Sequence, residues 1–177
     1  MKRSIFAAAA AAAATLALAA CGGSGIGPGG LAGSSSCSVT LTGARSGTYD
    51  CKSALAVWDS TKNESGFAFT VSEAGTTPQI AVVISFKGEP HSGTYASTDT
   101  GVTGGTTVSI SGGSSGWVAS SDPGSPQGSF SLKFTGVSNA YSSSSGKSYN
   151  TDGSLDATLP AISGSAATGT VTLHATF

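Results

Sequence analysis

The chain has 177 residues, with 8 Lys and Arg against 9 Asp and Glu, 26 Gly and only 3 Cys. Charged residues are 10% of it, so it offers no basic stripe to nucleic acid, and nucleic-acid binding is excluded. Ser and Thr number 53 together, a composition that suits either disorder or a β-rich fold, and the apolar pattern decides between them.

Met1, Lys2 and Arg3 open the chain with positive charge, and residues 5–20 are uncharged and almost wholly apolar, which is the order of an export signal. The run is mostly Ala and shorter than the about 20 apolar residues a spanning helix needs, so a permanent membrane helix is not expected. Its end, Leu18-Ala19-Ala20-Cys21, resembles the lipobox of bacterial lipoproteins: an aliphatic residue, two small residues and a cysteine. The resemblance covers the first 21 residues. It implies that residues 1–20 are a signal peptide, that Cys21 becomes the first mature residue, and that its sulfur carries a diacylglycerol with a further acyl chain on the amine. Each buried methylene adds about 0.8 kcal/mol, and two chains suffice for stable anchoring. The alternative is plain secretory cleavage after Ala19 or Ala20, which leaves Cys21 as an unpaired exposed thiol. Gly22, where many inner-membrane lipoproteins carry Asp, points within that resemblance to the outer membrane. Without residues 1–20 the chain keeps six Lys and Arg against nine Asp and Glu, a net charge near −3.

Residues 22–36, GGSGIGPGGLAGSSS, have no apolar period and read as a tether with a reach of roughly 20 Å. Gly25 to Gly30 satisfy G-x-G-x-x-G, but the motif binds dinucleotides only between a strand and a helix. From Cys37 to Phe177 apolar residues return in short bursts of period two, which is a folded β domain. CSVTLTGARSGTYDC reads as a hairpin in which Cys37 faces Cys51, Val39 faces Tyr49 and Leu41 faces Gly47. An oxidising compartment and the use of Cys21 for lipid leave Cys37 and Cys51 as a disulfide pair. Next, Leu55 and Val57 read as the buried face of a strand, with Trp58 out of phase and facing away.

Phe67, Phe69 and Val71 alternate inward, and Ile80 to Phe86 are apolar on both faces, which marks a central strand. Ser46-Gly47-Thr48-Tyr49 recurs as Ser92-Gly93-Thr94-Tyr95, a common turn-to-strand start. Thr98 to Gly105 read as a loop. Gly112 to Gly116 satisfy G-x-S-x-G, and Ser114, Asp152 or Asp156, and His174 follow in a hydrolase order, yet the prolines in SSDPGSPQG forbid the helix a nucleophile elbow requires. Phe130, Leu132 and Phe134 point inward. Ser142 to Ser145 are a loop, and Asn150 to Gly153, NTDG, read as an Asp-Gly turn rather than a calcium loop. Leu155, Ala157 and Leu159 alternate inward, as do Val171, Leu173, Ala175 and Phe177, with His174 on the polar face.

Eight to ten strands without a helix outside the signal give an all-β antiparallel sandwich, of jelly-roll or immunoglobulin-like type. No metal site or cofactor is indicated: His91 and His174 stand far apart, and neither Asp122 nor Asp152 has the further carboxylates calcium needs. Trp58 and Trp117, with Tyr95, Tyr141 and Tyr149 on loops, are the candidates for stacking on sugar rings; their alternative is closing the core. The mature domain resembles the small β-sandwich lipoproteins of bacterial envelopes. The expectation is a non-catalytic, lipid-anchored cell-envelope protein with a glycan or envelope-protein partner. A carbohydrate-binding module is the alternative, and a serine hydrolase a lesser one.

Overall fold

The computed structural model describes residues 36–71, 79–121 and 128–177. Ten strands form among the described residues: β1 (Cys37–Gly43), β2 (Gly47–Asp59), β3 (Glu64–Val71), β4 (Gln79–Lys87), β5 (Gly93–Ala96), β6 (Thr107–Gly112), β7 (Ser115–Ser120), β8 (Ser129–Ser142), β9 (Gly146–Pro160) and β10 (Thr170–Thr176). Every strand pairing is antiparallel, and the described residues contain no helix. The fold is all-β and sandwich-like.

The strands run β5-β8-β9-β10-β1-β2-β3-β4-β6-β7, and β9 also pairs with β2. That second pairing comes from length. The C-terminal part of β9, Ser154–Pro160, pairs with β10, whereas Gly146–Tyr149 pairs with Ala56–Asp59 of β2. β1 and β10 are thereby wedged between the far halves of the same two long strands. At the opposite margin Trp117 of β7 bridges to Ala161, and the Ile162 amide donates to the Gly116 carbonyl at 2.8 Å. The pairings therefore return on themselves, and one face of the sheet is turned inward all the way round.

Two-residue periodicity fills that interior. Val171, Leu173 and Ala175 are fully buried, as are Leu155 and Leu159; Ala157, Phe130, Leu132 and Phe134 lie beside them. β4 is central, between β3 and β6, and buries Ile80, Val82, Ile84 and Phe86 on one face while Ala81 and Val83 of the other face are half-buried. Phe134 lies among four other rings, with centroids 5.4 Å from Phe67, 5.6 Å from Tyr95, 6.1 Å from Phe177 and 6.2 Å from Phe86. Such spacings and their mostly edge-on geometry add to the gain from burial.

The β1–β2 hairpin places Cys37 against Cys51, Val39 against Tyr49 and Leu41 against Gly47. Cys37 and Cys51 form a disulfide with Cα atoms 4.9 Å apart, within the range a bridge requires. Both cysteines are buried.

Three expectations fail for local reasons. A bulge between Lys52 and Leu55 adds a residue to β2, so Ala54 and Ala56 are the fully buried positions while Leu55 and Val57 are only half-buried. Trp58 therefore shares the core-facing side with Ala54 and Ala56. Asn150 to Gly153 form no turn but lie inside β9. Gly153 is there because a Cβ would sit 2.0 Å from the Lys133 carbonyl oxygen, while its amide donates to the Phe177 carbonyl at 2.7 Å. Tyr95 and Tyr149 are strand residues, 8% and 4% exposed, and not loop residues; Tyr141, also in a strand, is exposed.

Candidate functional site

One end of the sheet gathers a polar cluster around Glu89, Lys147 and Tyr149. The β2–β9 pairing sets Trp58 opposite Lys147 and Ala56 opposite Tyr149, and the β8–β9 pairing sets Asn139 opposite Tyr149. Lys147 and Tyr149 are two apart on β9 and so share a face. The Lys147 Nζ lies 5.2 Å from the Trp58 ring centroid, a cation–π contact, and donates to Glu89 Oε1 at 2.8 Å. The Tyr149 hydroxyl donates to the same carboxylate oxygen. Glu89 follows β4 in a loop anchored by the Gly88 amide, which donates to the Asn63 carbonyl at 2.9 Å, and by the Ser65 hydroxyl on the Gly88 carbonyl at 2.6 Å.

The electrostatics follow from these contacts. The Lys147 ammonium first, and then the Tyr149 hydroxyl, hold the Glu89 carboxyl below its ordinary range. Burial pushes the Tyr149 phenol far above its usual value, and the Glu89 negative charge pushes it further. The phenol is thus a permanent donor and the carboxylate a permanent acceptor at neutral pH. Beside them, Tyr95 is raised by burial, and its hydroxyl lies 3.0 Å from His91 Nδ1 and 3.2 Å from the His91 amide. The chemistry of the cluster is that of a clamp: it ties the loop after β4 to the β8–β9 hairpin.

This clamp has a pH signature. A carboxyl whose folded affinity for protons is depressed contributes stability above its unfolded pKa and loses it as pH falls through the folded one. The Glu89→Gln chain is expected to melt below the wild type at neutral pH, with the two midpoints converging in acid beneath the ordinary carboxylate range. Its Tyr149 phenol should also ionise at lower pH than in the wild type, read from ultraviolet absorbance in alkali.

The residues singled out from sequence do not converge. Cys21, the tether with its G-x-G-x-x-G run, and Asp122 lie outside the described residues. Trp117 is 5% exposed and faces Ile110 across the β6–β7 pair, so its ring is part of the core and has no face free for stacking. Trp58 is half-buried, packs against the core and lies next to Lys147. Ser114 is exposed in the β6–β7 turn. His174 pairs with Asp156 instead, Nδ1 to Oδ1 at 2.6 Å, on the exposed face of β10 and β9. Among the described residues no three His, Cys, Asp or Glu side chains gather as a metal site.

A recess of about 330 Å³ is lined by Ser36, Cys37, Ser38, Asp50, Cys51 and Thr176, where the described chain enters β1. Apart from the buried disulfide its walls are small polar groups and one carboxylate, without the aromatic or aliphatic lining of a typical ligand pocket.

Sequence reasoning missed Glu89, Lys147 and Asn139 altogether. Lys147 and Tyr149 carry a weak signal, since alternate residues share a strand face, but Glu89 stands 58 residues before Lys147 and only the fold joins them. The chain matches no protein-family model, no curated protein and no solved structure.

Proposed function

We propose that this chain is a lipid-anchored protein of the bacterial cell envelope, carrying a non-catalytic β domain on a short tether and serving a structural or interaction role. The observation that carries the reading is the sequence Leu18-Ala19-Ala20-Cys21 at the end of an export signal. The cysteine pairing supports it: Cys37 and Cys51 are joined to each other, which suits an oxidising compartment and leaves Cys21 as the odd sulfur. The location follows the same resemblance, with Gly22 favouring the outer membrane.

The polar cluster of Glu89 with Lys147 and Tyr149 is taken up in mutual contacts, which suits a rigid displayed domain better than turnover. Cys21→Ala removes the acceptor sulfur. The variant is expected to move almost entirely from the membrane fraction to the soluble fraction after export, because no acyl chain would remain to partition into the bilayer. Retention of that variant on membranes would sink the proposal.

A further inference from the structure

The sheet has two unlike outer faces. Outward from β1, β10 and the C-terminal half of β9 stand Thr42, Thr172 and Thr158 in one row and Thr40, His174 and Asp156 in the next, hydroxyls and charges that water satisfies. Outward from β2, β3, β4 and β7 the character changes. Leu55, Ala68 and Val83 form one row, Val57 stands beside it on β2, and Ala81 and Val118 follow on β4 and β7. All six are half-buried. From Leu55 onward, the charged side chains described on these strands stand only in the end row, Asp59, Glu64 and Lys87.

The bulge between Lys52 and Leu55 makes this face. It turns Ala54 and Ala56 inward and sends the larger Leu55 and Val57 out, the reverse of what burial alone selects. Val57 is also in register with Ser148 and, across it, with Tyr141, whose side chain is 49% exposed. Aliphatic side chains with a tyrosine at their margin suit the interfacial layer of a bilayer. The place where the chain enters the domain brings a bilayer there. Cys37 opens β1 opposite Cys51 of β2, and Leu55 follows Cys51 by about 13 Å of strand. A tether with a reach of roughly 20 Å keeps the acyl chains of Cys21 within range of both outer faces, and the one with Leu55 and Val57 gains by leaving water.

We propose that the face carrying Leu55, Val57, Ala68 and Val83 is the side that the domain lays against the bilayer holding its anchor, an inference that rests on the lipid anchoring of Cys21. A short flexible tether presents the bilayer at an effective concentration in the millimolar range. A contact too weak to hold a free domain on lipid is then sufficient to orient a tethered one. The contact needs no headgroup charge, in keeping with a face whose described charges stand at one end. Gly66 lies beside Val57, and a Cβ there would meet nothing within 4 Å, so the face has room for lipid to approach. The hydroxyl-bearing face of β1 and β10 is left to water.

The test uses the exported, lipidated chain in phosphatidylcholine vesicles. With Cys21 acylated and Cys37 bridged to Cys51, an introduced cysteine is the sole free thiol. Val57→Cys and Thr172→Cys are each labelled with nitrobenzoxadiazole and met with vesicle lipid bearing a nitroxide near the headgroup. The label at position 57 is expected to shift to the blue and to be quenched severalfold more than the label at position 172. Adding Val83→Asp, which sets a carboxylate on the face, should bring the two close to equal, and retention of the Cys37–Cys51 bridge reports folding of each variant. Equal quenching at both positions, on vesicles that float with the chain, would overturn the proposal and leave the anchor standing. A blue shift at position 57 without quenching would assign the face to a protein and overturn it as well. A wild-type chain that does not float with the vesicles would sink the anchor and this proposal together.

Discussion

Replacing Phe134 by Ala is expected to remove about 3–5 kcal/mol of stability, measured as the shift in the urea unfolding midpoint at unchanged slope. The ring is 1% exposed and lies on β8 where β5 and β9 flank it, in contact range of Phe67, Phe86, Tyr95 and Phe177. These rings come from β3, β4, β5 and the end of the chain, so the cavity would open among several segments at once. Collapse to fill it is hindered, because Gly153 already holds the Lys133 and Phe177 backbones in close approach. The loss equals a large share of the 5–15 kcal/mol that keeps a typical domain folded. Phe134→Leu retains most of the volume and should cost markedly less. Equal losses for the two variants would mean that ring packing is not what this position supplies.

Replacing Cys37 and Cys51 together by Ala is expected to cost on the order of 3 kcal/mol, seen as a lower thermal midpoint. Closing a loop of about 15 residues removes that much conformational freedom from the unfolded chain. The bridge spans residues 14 apart in sequence and directly opposite in register, so the native hairpin needs no distortion to hold it. Its place adds to the effect. Cys37 opens β1, which is wedged between β2 and β10, and fraying there would loosen the strand that carries the buried Val39 and Leu41. Reductant should act slowly on the folded chain, since both cysteines are buried. A bridge reduced at the same rate with and without denaturant would contradict that burial.

Much of the fold was legible because a strand with one buried face writes a two-residue period into its sequence. β10, the first half of β8 and the C-terminal half of β9 show it cleanly, and every inward residue expected from them is buried. The hairpin from Cys37 to Cys51 was legible twice over, since the register that satisfies the period also sets the cysteines opposite each other. Where the period failed, an extra residue was the cause. The bulge in β2 turns the alternation over between Cys51 and Ala54, and so Leu55, Val57 and Trp58 each lie on the side opposite to the one a regular period predicts. Asn150 to Gly153 carry turn chemistry but form strand, because two neighbouring backbones require a residue without a side chain at Gly153.

The polar cluster shows the other limit. Lys147, Tyr149, Asn139 and Trp58 come together only because β9 is long enough to pair with β8, β10 and β2 along different parts of its length. Glu89 reaches them from a loop far away in the chain.

By itself the sequence determined the strand-forming character, the inward residues of the regular strands and the cysteine pairing. Each is written in neighbouring residues, through a fixed period or a short motif. Which strands neighbour one another, which tyrosines are buried and where the sheet closes were decided by the tertiary structure alone. Those depend on non-local hydrogen bonds and on bulges that shift the period by one residue, and no local pattern encodes the partner on the far side of a strand.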